Sequence, residues 1–166
     1  MSRKKSGATA DTVKVRGFFR VQIVEDMDGG TQVVGDSGWR KNQVANLGFD
    51  QFLCQTLAGM AGSKTVSHVA LGTGGAPAAV DTSLAGEIMA STQRKTVSPS
   101  TIASKTAQFT AAFASSASFL TAAANLSNVG LFNTSTAGTI FAGNTYTSSA
   151  CATNQSVNVT YQIRFS

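Results

Sequence analysis

Val13 to Val24 reads VKVRGFFRVQIV, and this run alternates between two chemistries residue by residue. Val13, Val15, Gly17, Phe19, Val21 and Ile23 fall on one face, and Lys14, Arg16, Phe18, Arg20 and Gln22 on the other. A side-chain period of two belongs to extended backbone, so this is a half-buried strand with a basic outer face. Ser156 to Phe165 repeats the pattern, with Val157, Val159, Tyr161, Ile163 and Phe165 on one face.

Other segments share that character. Asp28-Gly29 is a hairpin signal between the first strand and a return strand over Thr31 to Val34, and Trp39 to Asn46 reads as extended. Spaced Phe and β-branched residues predict strands over Gln93 to Val97, Ala107 to Phe113, Ser118 to Leu120, Val129 to Phe132 and Thr139 to Tyr146. Asn133 to Gly138 forms a hairpin loop between two of them. Ala122 to Asn125 tolerates helix but is too short to make one. Many short strands at turn-rich spacing specify a mainly β protein, an antiparallel β-sandwich or small barrel.

One helix is expected, over about 47–61. Phe49, Phe52, Leu53, Leu57 and Met60 make an apolar stripe, Asn46 can cap it, and Asp50 suits its positive end. Cys54 lies inside it among apolar neighbours and is expected to be a buried, reduced thiol; with Cys151 it is too little for a disulfide framework.

Ser67 to Ile88 (SHVALGTGGAPAAVDTSLAGEI) organises the middle of the chain. Val69-Ala70-Leu71 suits a short buried strand, Gly72-Thr73-Gly74-Gly75 breaks it, and Pro77 keeps the next residues out of a helix. Asp81-Thr82-Ser83 then predicts a cap for a short helix over Leu84 to Ile88.

At 166 residues the chain reads as a 1–12 extended basic arm and a single β-rich domain over 13–166. Charged residues are 13% of it, against a usual ~25%. The net charge of +5 is unevenly placed, with eight of thirteen basic residues in the first 41 positions. Past Thr96 only Lys105 and Arg164 carry charge. The basic N-terminal cluster Arg3, Lys4 and Lys5 reads first as a solvated tail and second as a phosphate binder. No apolar h-region follows it, so no secretion signal is expected, and no uncharged run suits a membrane span.

The chemistry-bearing patterns are weak. The glycines at 72–75 lack the third glycine and long helix of a dinucleotide fingerprint, and Gly62-Ser63-Lys64-Thr65 lacks the spacing of a phosphate loop. His68 is the sole histidine; Asp81 and Ser83 are near it in sequence, yet no nucleophile-elbow pattern surrounds any serine. One His and two distant Cys do not make metal-ligand spacing. No catalytic residue, cofactor, metal or small-molecule substrate is therefore expected. Arg16-Gly17-Phe18-Phe19-Arg20 interleaves bases with aromatics, but only Phe18 shares the basic face, which weakens a single-strand stacking reading.

Three segments in this order resemble a family. They are Asn42 to Ala61 (NQVANLGFDQFLCQTLAGMA), Val69 to Ile88 with Arg94 after it, and Asn128 to Phe132 (NVGLF) closed by Val157 to Phe165. The set is similar to small virion proteins of tailed bacteriophages. There a helix start N-x-x-x-x-x-G precedes ALGTG-x-x-x-A-x-x-D-T-x-L-x-x-E, followed by an E-x-G-L-F strand and a closing β-strand. Ser127 and Asn128 stand where that group often carries an acid able to pair with Arg94. The resemblance implies a non-enzymatic virion protein made in the host bacterial cytoplasm.

Within that class the first expectation is a capsid decoration or cement protein bridging neighbouring shell subunits. A tail, baseplate or fibre-attachment component is the alternative. Partners would be copies of itself, for which a trimer suits either role, and the major capsid protein or other virion proteins. Arg16, Arg20, Arg40 and Lys41 would meet an acidic partner surface, with Arg3, Lys4 and Lys5 acting from the arm. A nucleic-acid-binding module using Arg3, Lys4, Lys5, Lys14, Arg16 and Arg20 is the different-class reading, and a hydrolase built on His68 comes last.

Overall fold

The computed structural model describes residues 12–88 and 94–166. Most of the 1–12 arm, with Arg3, Lys4 and Lys5, and the start of the strand expected from Gln93 lie outside them. Among the described residues there are ten strands: β1 (Val15–Met27), β2 (Gly30–Asp36), β3 (Arg40–Val44), β4 (His68–Gly72), β5 (Lys95–Thr96), β6 (Ser98–Ala103), β7 (Thr106–Phe113), β8 (Ala124–Phe132), β9 (Ile140–Cys151) and β10 (Ser156–Phe165). Every pairing is antiparallel, in the order β5-β4-β8-β9-β3-β1-β10-β7-β6, with β2 hydrogen-bonded to β1 beside that path.

Two features roll this sheet towards a closed barrel. β3 pairs with β1 through Arg40 to Asn42 and with β9 through Gln43 and Val44, joining two halves at a bend. At the opposite side the edge strands β5 and β6 are separated in sequence by Val97 alone, whose N–H reaches the Ser67 carbonyl. The expectation of a mainly β sandwich or barrel with one packed helix describes this architecture.

The alternation explains the core. Phe19, Val21 and Ile23 of β1 and Val157, Val159, Tyr161 and Ile163 of β10 are buried, joined by Val69, Leu71, Leu126, Val129 and Leu131 from the other half. Phe19 stacks on Tyr161 at 5.7 Å between ring centroids and meets the edge of Tyr146 at 6.0 Å, both favourable aromatic geometries. Gly17 is needed beneath this layer: a Cβ there would lie 1.5 Å from the Asn42 side-chain oxygen, and Asn42 donates to the buried Tyr161 hydroxyl.

The helix departs from expectation. It runs as a π segment, Gly48–Cys54, into one α turn, Gln55–Leu57 (together α1), and stops short of Ala61. Gly59 adopts φ +63°, its N–H bonds the Thr56 carbonyl and the Met60 N–H bonds the Gln55 carbonyl. Those two bonds on a left-handed glycine are a Schellman stop, so Gly59 terminates the helix. Asn46 does not cap it; its N–H goes to the Ala79 carbonyl and no side-chain cap is made. Gly48 presses on β9, where a Cβ would sit 2.3 Å from the Phe141 carbonyl oxygen. Of the apolar stripe, Phe52 is buried and Leu53 half-buried, while Phe49, Leu57 and Met60 face solvent. Cys54 is exposed, not buried, because so short a helix covers only the Phe52 side.

Three further expectations are corrected. Leu84 to Ile88 is not helical: Thr73 and Gly74 donate to the Gly86 and Ala85 carbonyls, Ile88 donates to Leu71, and Gly86 turns at φ +61°. This return segment lies beside the end of β4 and delivers Leu84 into a second small cluster with Ala45, Ala70, Phe132 and Ile140. Asp81 accepts the Ala78 N–H instead of capping a helix. Ser118 to Leu120 is not a strand, since Ser118 takes a left-handed conformation after the 3₁₀ turn Ser115–Ala117 and thereby buries Phe119 and Leu120. β6, with Pro99 within it, was not expected; an edge strand tolerates a proline that a central one would not.

Candidate interaction surface

The outer face of β1 and β10 is built by register. Arg16 lies opposite Arg164, Phe18 opposite Gln162, Arg20 opposite Thr160 and Gln22 opposite Asn158. β3 adds Lys41 beside Phe18, and β7 adds Thr106 beside Arg164 and Gln108 beside Gln162. Lys14 exchanges backbone hydrogen bonds with Ser166, and Phe165 donates to the Lys105 carbonyl. Lys14, Arg16, Lys105 and Arg164 therefore gather at one end of the sheet. None of them has a carboxylate partner among the described residues.

The basic residues singled out from the sequence divide accordingly. Arg16 and Lys41 are exposed on this face and stay close through Phe18. Arg20 is committed to Asp36, with Nε at 3.0 and 3.1 Å from the two carboxylate oxygens and a third contact through Nη2. Those donated bonds hold the Asp36 carboxyl down at about 2 and raise Arg20 above its ordinary value. Arg40 donates to the Ser37 carbonyl at 2.9 Å. Sequence reasoning passed over Arg164, although the strict alternation of Asn158, Thr160, Gln162 and Arg164 places it on this face. Its guanidinium lies 4.6 Å from the Phe18 ring centre and donates to Gln162 Oε1 at 2.6 Å.

A second surface is the β1–β2 hairpin. β10 accompanies β1 only as far as Val24, so the hairpin tip projects past the body and the far edge of β2 pairs with no other described strand. Met27, Val33, Val34 and Trp39 are exposed along and just after it. The adjacent pair Val33-Val34 was the available signal, because neighbours in a strand cannot share one buried face. A third feature is an apolar groove of about 470 Å³ at the end of the barrel that holds Phe165. Phe52, Leu53, Phe109, Phe141, Ile163 and Phe165 line it, with Lys64 at its rim.

The catalytic candidates do not converge. The Ser67 hydroxyl gives its one proton to the Asn133 carbonyl at 2.7 Å, so the His68 Nδ1 contact at 2.7 Å has the ring donating to Ser67. That is the reverse of base activation. Partial burial and nearby Arg94 lower the His68 pKa. At the glycine turn the Thr73 and Gly74 N–H groups are taken by carbonyls and are not free to cradle a phosphate. Among the described residues no three or more His, Cys, Asp or Glu side chains are grouped to hold a metal ion, and no helix is long and apolar enough to cross a membrane.

Comparison of the chain with family models, with curated proteins and with solved structures finds no match in any of the three.

Proposed function

We propose that this protein is a non-enzymatic structural component of a bacteriophage particle, in the first place a capsid decoration or cement protein. The observation that carries the reading is the projecting β1–β2 hairpin, which holds a strand edge with no partner strand among the described residues and exposed Met27, Val33, Val34 and Trp39 on a chain with few charges. Unpaired edges and apolar side chains together are what permanent protein interfaces cover. Arg16 and Lys41 supply charge for an acidic shell surface. Arg20 and Arg40 are spent inside the molecule and contribute less than the sequence suggests.

A nucleic-acid reading draws on the same basic end of the sheet. Against it, the Arg164 guanidinium lies over the Phe18 ring, where a base would have to stack.

Electron microscopy of particles carrying a labelled copy tests the proposal. Label distributed over the shell supports the decoration role, label at the tail moves the protein to a tail component, and absence from particles overturns a virion role. Steep, salt-sensitive retention on DNA by the purified protein would favour the nucleic-acid reading instead.

A further inference from the structure

The groove at the Phe165 end and the hairpin tip are chemically complementary. Between Arg20 and Arg40 the chain carries four acids, Glu25, Asp26, Asp28 and Asp36, and no base. Asp36 is neutralised by Arg20, which leaves three carboxylates at the tip around Met27. Glu25 accepts from the side chains of Asn154 and Gln155 at 3.1 Å each and Asp26 from the Thr31 hydroxyl at 2.8 Å. Those donors are uncharged, so the negative charge remains. The tip is thus an apolar residue framed by acids.

The groove is the inverse. Its walls are apolar, and α1 and β6, which form two of them, also carry Leu57 and Ile102 out in solvent. Lys64 stands at its rim donating to the neutral amide of Gln51. Lys105 is held beside the lining residue Phe165, whose N–H its carbonyl accepts, whereas Lys14 belongs to the outer face with Arg16. Asp50, in the first turn of α1, is the one carboxylate on that helix.

One molecule cannot join its own two halves. Val15 pairs with Phe165 at one end of β1, and Val24 with Ser156 towards the other. The tip and the groove are therefore at opposite ends of a thirteen-residue strand, about 40 Å apart at the rise of extended backbone.

We infer that the acidic β1–β2 tip of one copy seats Met27 in the apolar, lysine-rimmed groove of a second copy, head to tail. The two patches differ, so the contact is heterologous and propagates into a ring or an open chain instead of stopping at a two-fold dimer. Apolar burial supplies the attraction and the lysine–carboxylate complementarity sets the orientation. This inference rests on the assembly role proposed above and names the surface through which copies meet.

Sedimentation velocity on the full chain tests it with two charge-reversed variants, Asp26→Lys/Asp28→Lys at the tip and Lys64→Glu/Lys105→Glu at the groove. All four positions lie outside the core, and an unchanged thermal melt checks the fold. The parent is expected to self-associate, more strongly at low salt. Each variant alone should associate about tenfold or more weakly, and an equimolar mixture of the two should recover association because each reversed patch meets its reversed partner. A third variant, Met27→Ser, should weaken association without changing its salt dependence. A monomeric parent, variants that associate like the parent, or folded variants whose mixture does not recover would each overturn the contact. Particle incorporation separates the two ideas: a chain that enters particles without this contact sinks the inference alone, and one that self-associates as described yet never enters a particle sinks the virion role alone.

Discussion

Arg94 grips Glu87 through two parallel hydrogen bonds, Nε to Oε1 at 2.6 Å and Nη2 to Oε2 at 3.0 Å, while its guanidinium lies 3.4 Å from the centre of the Phe132 ring. Both side chains are nearly inaccessible to solvent, and Arg94 also donates to the Thr134 and Ala137 carbonyls. The pair thereby ties the return segment after the glycine turn to the β8–β9 hairpin loop. The acid that answers Arg94 comes from Glu87, not from the position just before the GLF strand, where Asn128 has other work.

Removing one partner of this pair strands a buried charge. Arg94→Ala and Glu87→Ala are each expected to cost about 3–5 kcal/mol, and the double variant less than the sum of the two. Urea unfolding of the three variants checks this; additive losses would mean that the two groups do not act as a unit.

Asn128 is fully buried, and its amide nitrogen donates to the Gly75 carbonyl at 3.0 Å and the Ala85 carbonyl at 2.8 Å. A Cβ at Gly72 would come within 2.4 Å of its side-chain oxygen, so strand, turn and return segment are packed around this one amide. Asn128→Ala should cost about 1–3 kcal/mol by leaving the two carbonyls without their donor. Hydrogen exchange should accelerate first in residues 73–88; a uniform change across all strands would contradict the local role.

The Asp36 carboxyl, held at about 2 against an ordinary 3.8, makes the hairpin base sensitive to acid. A lowered folded-state value means the stabilising contribution is complete above the ordinary carboxylate range and disappears as pH falls through about 2. Asp36→Asn should therefore be less stable than the parent by a constant margin above about pH 5, and the margin should close between about pH 4 and pH 2. The pair is partly exposed, so added salt should shrink the margin as well. Urea midpoints across pH, with and without salt, measure both effects.

The two thiols should separate by reactivity. Cys54 is exposed on α1, whereas Cys151 is buried at the end of β9 and its thiol is pushed up to about 11. An aromatic disulfide reagent at pH 8 should titrate one thiol in the native protein and two after unfolding, and Cys54→Ser should abolish the native signal. Rapid native labelling of both would refute the placement of Cys151.

Period-two alternation by itself determined β1 and β10, and Asp28-Gly29 and Asn133 to Gly138 marked the hairpins that turn neighbouring strands back on each other. Those signals are local: an extended backbone and a turn are specified by residues within a few positions of one another. What only the tertiary structure decided are places where distant groups compete for the same backbone. Leu84 to Ile88 has residues that accept a helix, yet its backbone groups are claimed by Gly74, Thr73 and Leu71 and its Ala85 carbonyl by Asn128, more than forty positions away. The helix stripe was legible, but how much of it is covered depends on where α1 meets β9, and that left Cys54, Leu57 and Met60 in solvent. The interaction surfaces follow the same division. The basic face could be read from β1 alone, whereas the groove and its distance from the acidic tip exist only because β10 pairs with β1 from Val24 back to Val15 and so brings Phe165 beside Val15.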